Sequence, residues 1–265
     1  MALLQVSFKS KALMMQTSVN VLLPMGTNRV DVEKMSDLTY EHKKFPVLYL
    51  LHGATDDHSC WLRLSSIERY AEDKGIAVVM PNADLSCYSD MIHGHKYWTY
   101  ISEELPNFIE AAFPISSKRE DTFAAGLSMG GYGAFKLGLR KPEKFAAVAS
   151  LSGLVDLVSS LNEPGPSFFE NVFGDSSTVP KSRNDLVYVL EQMKKENERI
   201  PKLFQACGRE DFLYQNNLTF RDFANSLGVD LHYEEGPGGH EWGYWDTNIQ
   251  RVLDWLPLES NKVIK

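Results

Sequence analysis

Cysteine is scarce in this chain, and its scarcity excludes two kinds of stabilising site. The 265 residues contain three cysteines, Cys60, Cys87 and Cys207, which is an odd number at wide spacings. A disulfide framework needs paired cysteines, and a zinc site needs ligands at short, regular spacings. We therefore expect three reduced, buried thiols.

The chain also has too little positive charge for a nucleic-acid partner. Lys and Arg number 27 against 35 Asp and Glu, so the formal net charge is −8. Proteins that bind nucleic acids neutralise phosphates with clustered Lys and Arg side chains. Nucleic acid is therefore excluded as a partner.

No uninterrupted apolar stretch is long enough to cross a bilayer, which needs about 20 residues. The apolar segment near the N-terminus is broken by Lys9, Ser10 and Lys11. It has no basic region ahead of an apolar core and no small-residue cleavage site. We predict neither a signal peptide nor a membrane span, and we expect a cytoplasmic enzyme.

Short apolar runs alternate with helical patterns from residue 46 onward. Runs bounded by Gly or Pro are typical of parallel strands buried on both faces, and they lie at 46–53, 76–81, 122–126, 145–153, 202–208 and 229–236. Helices are predicted at 61–73, 100–113, 131–140, 184–198, 220–227 and 245–256. This alternation indicates one α/β domain over residues 1–265, with a mostly parallel central sheet and helices on both faces.

Two segments lie outside this alternation. Residues 6–10 and 18–23 predict an antiparallel hairpin at a sheet edge. Residues 154–183 are rich in Ser, Pro, Gly and Phe, and they are too long for a plain connection. We predict a short cap-like insertion there, whose phenylalanines either cover a site or pack the segment onto the domain or a second subunit. These phenylalanines are Phe168, Phe169 and Phe173.

The stretch AAGLSMGGYGAF places Ser128 between Gly126 and Gly130, where a predicted strand meets a predicted helix. This is the G-x-S-x-G pattern in the strand–turn–helix setting that holds a nucleophilic serine on a sharp turn. Side chains two residues either side of the serine would collide, which explains the glycines. The alternative is a glycine-rich turn that only packs a helix onto a strand. We predict that Ser128 is the catalytic nucleophile.

A serine hydroxyl needs a base, and the base needs an orienting acid. In this setting the chain order is serine, acid, histidine. His232 and His240 are the two histidines that follow Ser128. His232 lies within a predicted strand, whereas His240 follows the flexible loop 236–239 at a strand's carboxyl end. We predict that His240 is the general base.

The acid is expected directly after the strand at 202–208, where Glu210 and Asp211 compete. Asp211 is favoured because it lies one step further round the turn and precedes two apolar residues that would anchor the loop. Asp156 and Asp175 fall in the predicted insertion and are weaker alternatives.

An oxyanion must be held by backbone N–H donors, each worth about 3 kcal/mol of barrier. We predict Met129, directly after the nucleophile, as one donor and Ala54 as the other. Gly53 lets the backbone turn inward towards the substrate. His52 is interpreted as a scaffold residue and not as a second base.

Aromatic residues are candidates for the substrate wall. They are Trp61, Tyr97, Trp98, Trp242 and Trp245. Trp242 is favoured because it lies two residues from His240. The alternative for each is a place in the core.

Acidic and histidine residues in two loops suggest a metal site at first sight. They are Asp56 with Asp57, and His93 with His95 near Asp90. Two histidines at i and i+2 without further spaced ligands indicate a solvated loop. We predict no metal site.

These residues, in this order, resemble the esterase D group of α/β-hydrolases. The group includes S-formylglutathione hydrolases, feruloyl and acetylxylan esterases, and bacterial tributyrin esterases, which are the most similar. The matching segments, along nearly the whole chain, are 48–61, 78–82, 103–106, 118–139, 207–217 and 239–245. The resemblance implies an α/β-hydrolase fold and a catalytic triad of Ser128, Asp211 and His240. It further implies hydrolysis of short-chain acyl esters, no cofactor, and a homo-oligomer, either a dimer or a tetramer.

Leu127 is a departure from part of this group. S-formylglutathione hydrolases usually carry His at this position, so Leu127 argues against a glutathione thioester as the substrate. Feruloyl and acetylxylan esterases share the leucine and stay as alternatives. Transfer of the acyl group to a sugar instead of water is a further alternative, because a fold alone does not fix function.

Overall fold

One eight-stranded sheet runs through the computed structural model, which describes residues 1–25, 44–161 and 168–258. The strands are β1 (Ala2–Ser10), β2 (Met15–Leu23), β3 (Val47–Leu51), β4 (Ala77–Pro81), β5 (Thr122–Leu127), β6 (Ala147–Leu151), β7 (Lys202–Gly208) and β8 (Leu231–Gly236). Their order in the sheet is β1-β2-β4-β3-β5-β6-β7-β8. β1 pairs antiparallel with β2, and β2 with β4, whereas the pairings among β3 to β8 are parallel. The predicted edge hairpin is therefore confirmed.

Helices cover both faces of this sheet. Within the described ranges they are α1 (Cys60–Leu64), α2 (Ile67–Lys74), α3 (Tyr97–Thr99), α4 (Leu105–Ala112), α5 (Met129–Arg140), α6 (Leu157–Leu161), α7 (Phe168–Phe173), α8 (Leu186–Lys195), α9 (Tyr214–Ser226) and α10 (Trp242–Trp255). α1, α2 and α10 share an apolar cluster on one face, and α4, α5, α8 and α9 share the cluster on the other. No helix in the described part of the chain combines the length and apolar character needed to cross a membrane.

The central strands send apolar side chains to both clusters. Along β3, Tyr49 and Leu51 join one cluster, while Leu48 and Leu50 join the other. Every residue of β3, β4 and β6 is buried. Such strands are typical of a parallel sheet between two helical layers, and the predicted α/β fold is confirmed. The three cysteines are free and buried, as expected.

The prediction of one helix over 61–73 was wrong in one respect, because this segment forms two helices, α1 and α2, with a break at Ser65 and Ser66. The Ser65 hydroxyl donates to the Trp61 carbonyl. Asp246 accepts the Ser66 N–H at 3.0 Å, from 180 positions further along the chain. Side-chain bonds of this kind compete with the helical hydrogen bonds.

Three helical segments begin three or more residues earlier than predicted. α10 begins at Trp242, and the segment predicted to begin at residue 100 begins at Tyr97 and passes through a π-helical turn, Tyr100–Glu104. α9 begins at Tyr214, six residues before the predicted start.

The early start of α9 depends on a buried polar contact. The Asn217 side chain donates to the Gly153 carbonyl at 2.9 Å and accepts from the Gln205 amide at 2.9 Å. A fully buried amide is stable only when it is hydrogen-bonded. These partners are distant in sequence, so the local pattern does not show the helix.

Lys136 is fully buried in α5, with 0% of its surface exposed. Its ammonium nitrogen donates to the Ser89 hydroxyl at 2.6 Å. The same nitrogen lies 5.3 Å from the Tyr132 ring centre and 5.4 Å from that of Trp98. Burial, together with the nearby Arg140 cation, lowers the pKa of Lys136 well below its usual value.

We expect Lys136→Met to raise the free energy of unfolding at neutral pH by about 1–2 kcal/mol, because apolar replacements of buried charges are often stabilising. Between its lowered folded pKa and the ordinary value of 10.5, the unfolded chain holds a proton that the folded protein lacks. The free energy of unfolding of the wild type therefore rises with pH in this window, and the difference between the Lys136→Met variant and the wild type shrinks. Urea unfolding at several pH values measures this difference.

The control for this prediction is Lys118→Met, since Lys118 is exposed. We expect that control to stay within about 0.5 kcal/mol of the wild type at every pH. An advantage of Lys136→Met that is the same at all pH values, or that grows with pH, would contradict the prediction.

Candidate active site

Ser128 lies on the turn between β5 and α5, in a backbone conformation that non-glycine residues rarely adopt, with φ +53° and ψ −118°. The turn is closed by close backbone approaches at two glycines. A Cβ on Gly126 would lie 2.4 Å from the Gly130 carbonyl oxygen, and a Cβ on Gly130 would lie 2.5 Å from the Leu51 carbonyl oxygen. The strained turn therefore requires both glycines, and it holds the serine hydroxyl out beyond the carboxyl end of β5.

His240 reaches this hydroxyl from the loop between β8 and α10. Its Nε2 lies 2.9 Å from the Ser128 Oγ. The ring is enclosed by two aromatic side chains, with Trp245 edge-on at 4.9 Å and Phe212 tilted at 4.4 Å between ring centres. Nε2 can accept the serine proton only if Nδ1 carries the hydrogen of the neutral ring.

Asp211 faces the other ring nitrogen of His240. Its two carboxylate oxygens lie 3.0 and 2.9 Å from Nδ1. Burial alone would raise the pKa of Asp211, but hydrogen bonds from His240, from the Leu213 N–H and from the Ser152 hydroxyl outweigh it, and the pKa lies below its usual value. The carboxylate is therefore held ionised beside the imidazole.

Glu210, the competing acid, has a different place. It is exposed, and its carboxylate accepts the Gly238 N–H at 2.6 Å. Its own N–H donates to the Gly238 carbonyl at 3.2 Å, and the Arg209 N–H donates to the Gly236 carbonyl at 2.9 Å. The loops that carry Asp211 and His240 are thus bonded to each other along their backbones.

The other sequence alternatives lie away from His240. His232 is exposed and pairs with Glu234 at 2.9 Å. Asp156 caps the start of α6 by accepting the Ser159 N–H, and Asp175 accepts the Ser177 N–H.

The two backbone N–H groups predicted to hold an oxyanion belong to residues that flank the strand ends near Ser128. Met129 is the first residue of α5, where helical geometry leaves the N–H without an intrahelical acceptor. Ala54 follows Gly53, and a Cβ on Gly53 would lie 3.5 Å from the Ser128 Cβ. In the turns and loops that the structure describes, neither the Met129 N–H nor the Ala54 N–H donates to a backbone carbonyl.

Ser152 is a site residue that sequence reasoning missed. It follows β6 in a left-handed conformation, with φ +48°, and it is fully buried. Its hydroxyl accepts the Trp245 indole N–H at 3.1 Å and helps to lower the pKa of Asp211. Its position directly after a strand's carboxyl end was the only sequence signal.

Comparison with known proteins decides the family. Residues 10–256 match the model of the Esterase family, described as "Putative esterase". The chain belongs to the Esterase family. An acetyl esterase from Caldicellulosiruptor saccharolyticus is 33% identical over 270 residues, which cover 98% of this chain and 100% of that relative.

Two solved structures from Staphylococcus aureus are similar to this esterase along nearly its whole length. A fluorophosphonate-binding serine hydrolase is 38% identical with a TM-score of 0.86, and the match covers 96% of this chain and 98% of that one. An S-formylglutathione hydrolase is 36% identical with a TM-score of 0.83 and the same coverage. The α/β-hydrolase fold and the carboxylesterase class are thereby confirmed.

A cleft of about 500 Å³ lies beside the loop that follows β3 in this esterase. Its lining includes Asp56, Asp84, Tyr97 and Phe168, and among the residues that the structure describes no Lys or Arg lines it. The Asp56 carboxylate and the Ser128 Cβ both lie 3.5 Å from the point where a Cβ on Gly53 would be. Burial, and then the neighbouring Asp57, raise the pKa of Asp56. The cleft is acidic and close to the serine.

The predicted aromatic wall is divided between core and cleft. Trp61 and Trp245 are buried, and Trp242 lies half-buried between them, with ring centres 5.1 and 5.3 Å away. Tyr97 lines the cleft. Trp98 is half-buried, with the Arg140 guanidinium 3.9 Å from its ring centre.

Two of the residues considered for a metal are engaged in other hydrogen bonds. Asp90 accepts from the N–H and the hydroxyl of Thr99 at 2.9 and 2.8 Å. Asp57 accepts from Ser59 at 2.8 and 2.6 Å. In the described ranges no group of three or more His, Cys, Asp or Glu side chains is placed to hold a metal ion.

The predicted insertion contains α6 and α7, while its residues 162–167 lie outside the described residues. Phe169 and Phe173 are buried, and Phe168 borders the cleft. The Ile92 and His93 N–H groups donate to carbonyls of α7 at 3.1 and 2.9 Å. α7 is thus fixed to the loop that forms part of the cleft.

Proposed function

We propose that this esterase hydrolyses short-chain acyl esters, as tributyrin esterases do, through an acyl-enzyme formed on Ser128. The observation that carries the proposal is the unbroken hydrogen-bond series from Asp211 through His240 to the Ser128 hydroxyl. A buried acid, a neutral imidazole and a strained serine in this order form the arrangement that activates a weak nucleophile.

In the first half of the reaction, Ser128 Oγ attacks the ester carbonyl carbon while His240 Nε2 takes the hydroxyl proton. The carbonyl π electrons move to the oxygen, and the N–H groups of Ala54 and Met129 stabilise that charge. Asp211 stabilises the imidazolium. The imidazolium then gives its proton to the departing alcohol oxygen as the carbon–oxygen bond breaks.

In the second half, a water molecule attacks the acyl-enzyme carbonyl, and His240 takes its proton. The tetrahedral intermediate collapses, the bond to Ser128 Oγ breaks, and the proton returns to Oγ. The carboxylic acid leaves, and every group is restored. No electron transfer and no cofactor enter this cycle.

S-formylglutathione is a second candidate substrate, since a solved relative of 36% identity bears that activity in its name. Two observations favour a simple ester. Leu127 stands where histidine is usual in those enzymes, and the described cleft has the carboxylates of Asp56 and Asp84 but no Lys or Arg in its lining. Glutathione itself carries two carboxylates, which such a cleft repels.

We also propose that the enzyme works in the cytoplasm, since the sequence predicts neither a signal peptide nor a membrane span. We propose a homo-oligomer, a dimer or a tetramer, because the resemblance to tributyrin esterases implies one. The segment 154–183 is proposed as a cap over the cleft, supported by the position of Phe168 at its border. Trp242 and Gly53 are proposed to contact the substrate near Ser128.

The test is a series of initial rates on p-nitrophenyl esters from acetate to octanoate. We expect kcat/KM to peak between acetate and butyrate and to fall at least about 10-fold by octanoate, because a site fitted to a short acyl chain has no place for each extra methylene. Methyl ferulate, acetylated xylo-oligosaccharide and S-formylglutathione are measured beside the series.

A kcat/KM more than about 10-fold higher on any of those three substrates would overturn the short-chain assignment. Product analysis with a xylo-oligosaccharide acceptor separates hydrolysis from acyl transfer, since transfer yields a newly acylated sugar. We expect free acid as the main product.

A further inference from the structure

His52 is a buried titratable residue that has no role in the proposed mechanism. It follows β3 directly, and only 1% of its surface is exposed. It lies outside the hydrogen-bond series of Asp211, His240 and Ser128. A neutral imidazole is stable at such a place only when both ring nitrogens have partners.

The partners of His52 determine its tautomer. Its Nδ1 lies 2.7 Å from the Gly53 carbonyl oxygen, which can only accept, so Nδ1 carries the hydrogen. Its Nε2 lies 2.9 Å from the Ala83 N–H, which can only donate, so Nε2 is unprotonated. Protonation at Nε2 would set two donors against each other. Burial lowers the pKa of His52, in agreement with a neutral ring.

The Gly53 carbonyl belongs to the same peptide unit as the Ala54 N–H. No peptide bond in the described residues is cis, so the carbonyl and the N–H of this unit point in opposite directions. The carbonyl receives the His52 Nδ1–H at 2.7 Å and the Asp56 N–H at 3.3 Å. Two donors on one side fix the rotation of the peptide plane and leave the N–H on the other side.

Gly53 lies next to the nucleophile, because a Cβ on Gly53 would lie 3.5 Å from the Ser128 Cβ. We infer that His52 is a positioning residue, which aims the Ala54 N–H at the substrate oxyanion by holding the Gly53 carbonyl from behind. This inference rests on the proposed function. The hydrogen bond to the carbonyl also polarises the peptide and strengthens its N–H as a donor.

His52 itself is held in place by the loop after β4. The Tyr88 hydroxyl donates to the His52 backbone carbonyl at 2.8 Å, and the Ala83 N–H holds the ring. Tyr88 is fully buried, with φ +48°. The donor is thus aimed before substrate arrives, which is what electrostatic stabilisation of a transition state requires.

Two variants distinguish a role of His52 in orienting the Ala54 N–H from a purely structural role. His52→Gln can still accept from the Ala83 N–H but has no donor at the Nδ1 position. His52→Asn keeps a donor near Nδ1 and loses the acceptor for Ala83. The readouts are kcat and KM on p-nitrophenyl butyrate, and the inhibition constant of butaneboronic acid, whose serine adduct resembles the tetrahedral intermediate.

We expect His52→Gln to lower kcat by about 10–100-fold with KM changed less than about 2-fold, because the donor is needed mainly in the transition state. Inhibition by butaneboronic acid should weaken by the same factor. His52→Asn should keep kcat within about 5-fold of the wild type. A fully active His52→Gln, or equal losses of kcat in both variants, would overturn the inference.

A measurement on the unaltered enzyme covers the case in which His52→Gln does not fold. Nitrogen-15 NMR of histidine-labelled enzyme at neutral pH should show, besides the His240 ring, a buried neutral ring with its hydrogen on Nδ1, which is that of His52. An Nε2–H tautomer or a charged ring at His52 would overturn the inference. This result is independent of the proposed function, which fails separately if Ser128→Ala stays active.

Discussion

Replacing Ser128 by alanine is expected to lower kcat on p-nitrophenyl butyrate by about 10⁵–10⁶-fold, which is the loss found when a triad nucleophile is removed. The covalent step disappears, and only binding and the oxyanion donors still act on the ester. Alanine keeps the backbone of the turn and removes one oxygen atom, so the thermal unfolding midpoint should not fall. Steady-state rates and a thermal melt measure the two effects.

The matched control is Ser150→Ala. Ser150 is also a buried serine beside this turn, and its hydroxyl forms no hydrogen bond among the described residues. We expect this variant to keep kcat within about 3-fold. Near-normal activity of a folded Ser128→Ala protein would end the assignment of Ser128 as nucleophile.

Replacing Asp211 by asparagine is expected to lower kcat by about 10⁴-fold. The asparagine amide would offer a donor to Nδ1, which favours the tautomer whose hydrogen is on Nε2. That tautomer cannot accept the Ser128 proton. The loss should appear in kcat, with little change in KM, and imidazole nitrogen shifts should report the altered tautomer.

Glu210→Gln is the control for Asp211, since it neutralises the adjacent carboxylate. The glutamine oxygen can still accept the Gly238 N–H that Glu210 now binds at 2.6 Å. We expect kcat within about 5-fold of the wild type. A larger loss for Glu210→Gln than for Asp211→Asn would exchange the two assignments.

Sequence patterns were sufficient to predict the structure where the pattern within one segment agrees with the tertiary fold. The central strands are apolar on both faces and end in or next to Gly or Pro, so their positions in the chain and their parallel direction followed from the sequence. The sharp turn at Ser128 was predictable because its sterics allow little besides glycine at the positions two residues before and after the serine. The position of His240 near Ser128 was predictable because it lies on the loop leaving a strand's carboxyl end.

Other features depend on partners that are remote in sequence. Asp246 divides the helix predicted over 61–73 by taking the Ser66 N–H. Asn217 extends α9 through its bond to Gly153. Ser152 contacts Asp211 and Trp245 only after three strand ends have come together. No periodicity or spacing within one segment contains this information.

The backbone bonds between the Asp211 and His240 loops have a consequence for how the enzyme loses activity. These loops leave β7 and β8, and β8 is the last strand in the sheet order, with none of its residues fully buried. Ser128 is anchored on β5, whose residues are almost all buried. Local opening is easiest where few apolar contacts protect the backbone. Turnover therefore reports on a weakly protected edge of the sheet, and in rising denaturant catalysis should vanish before the interior around β5 opens.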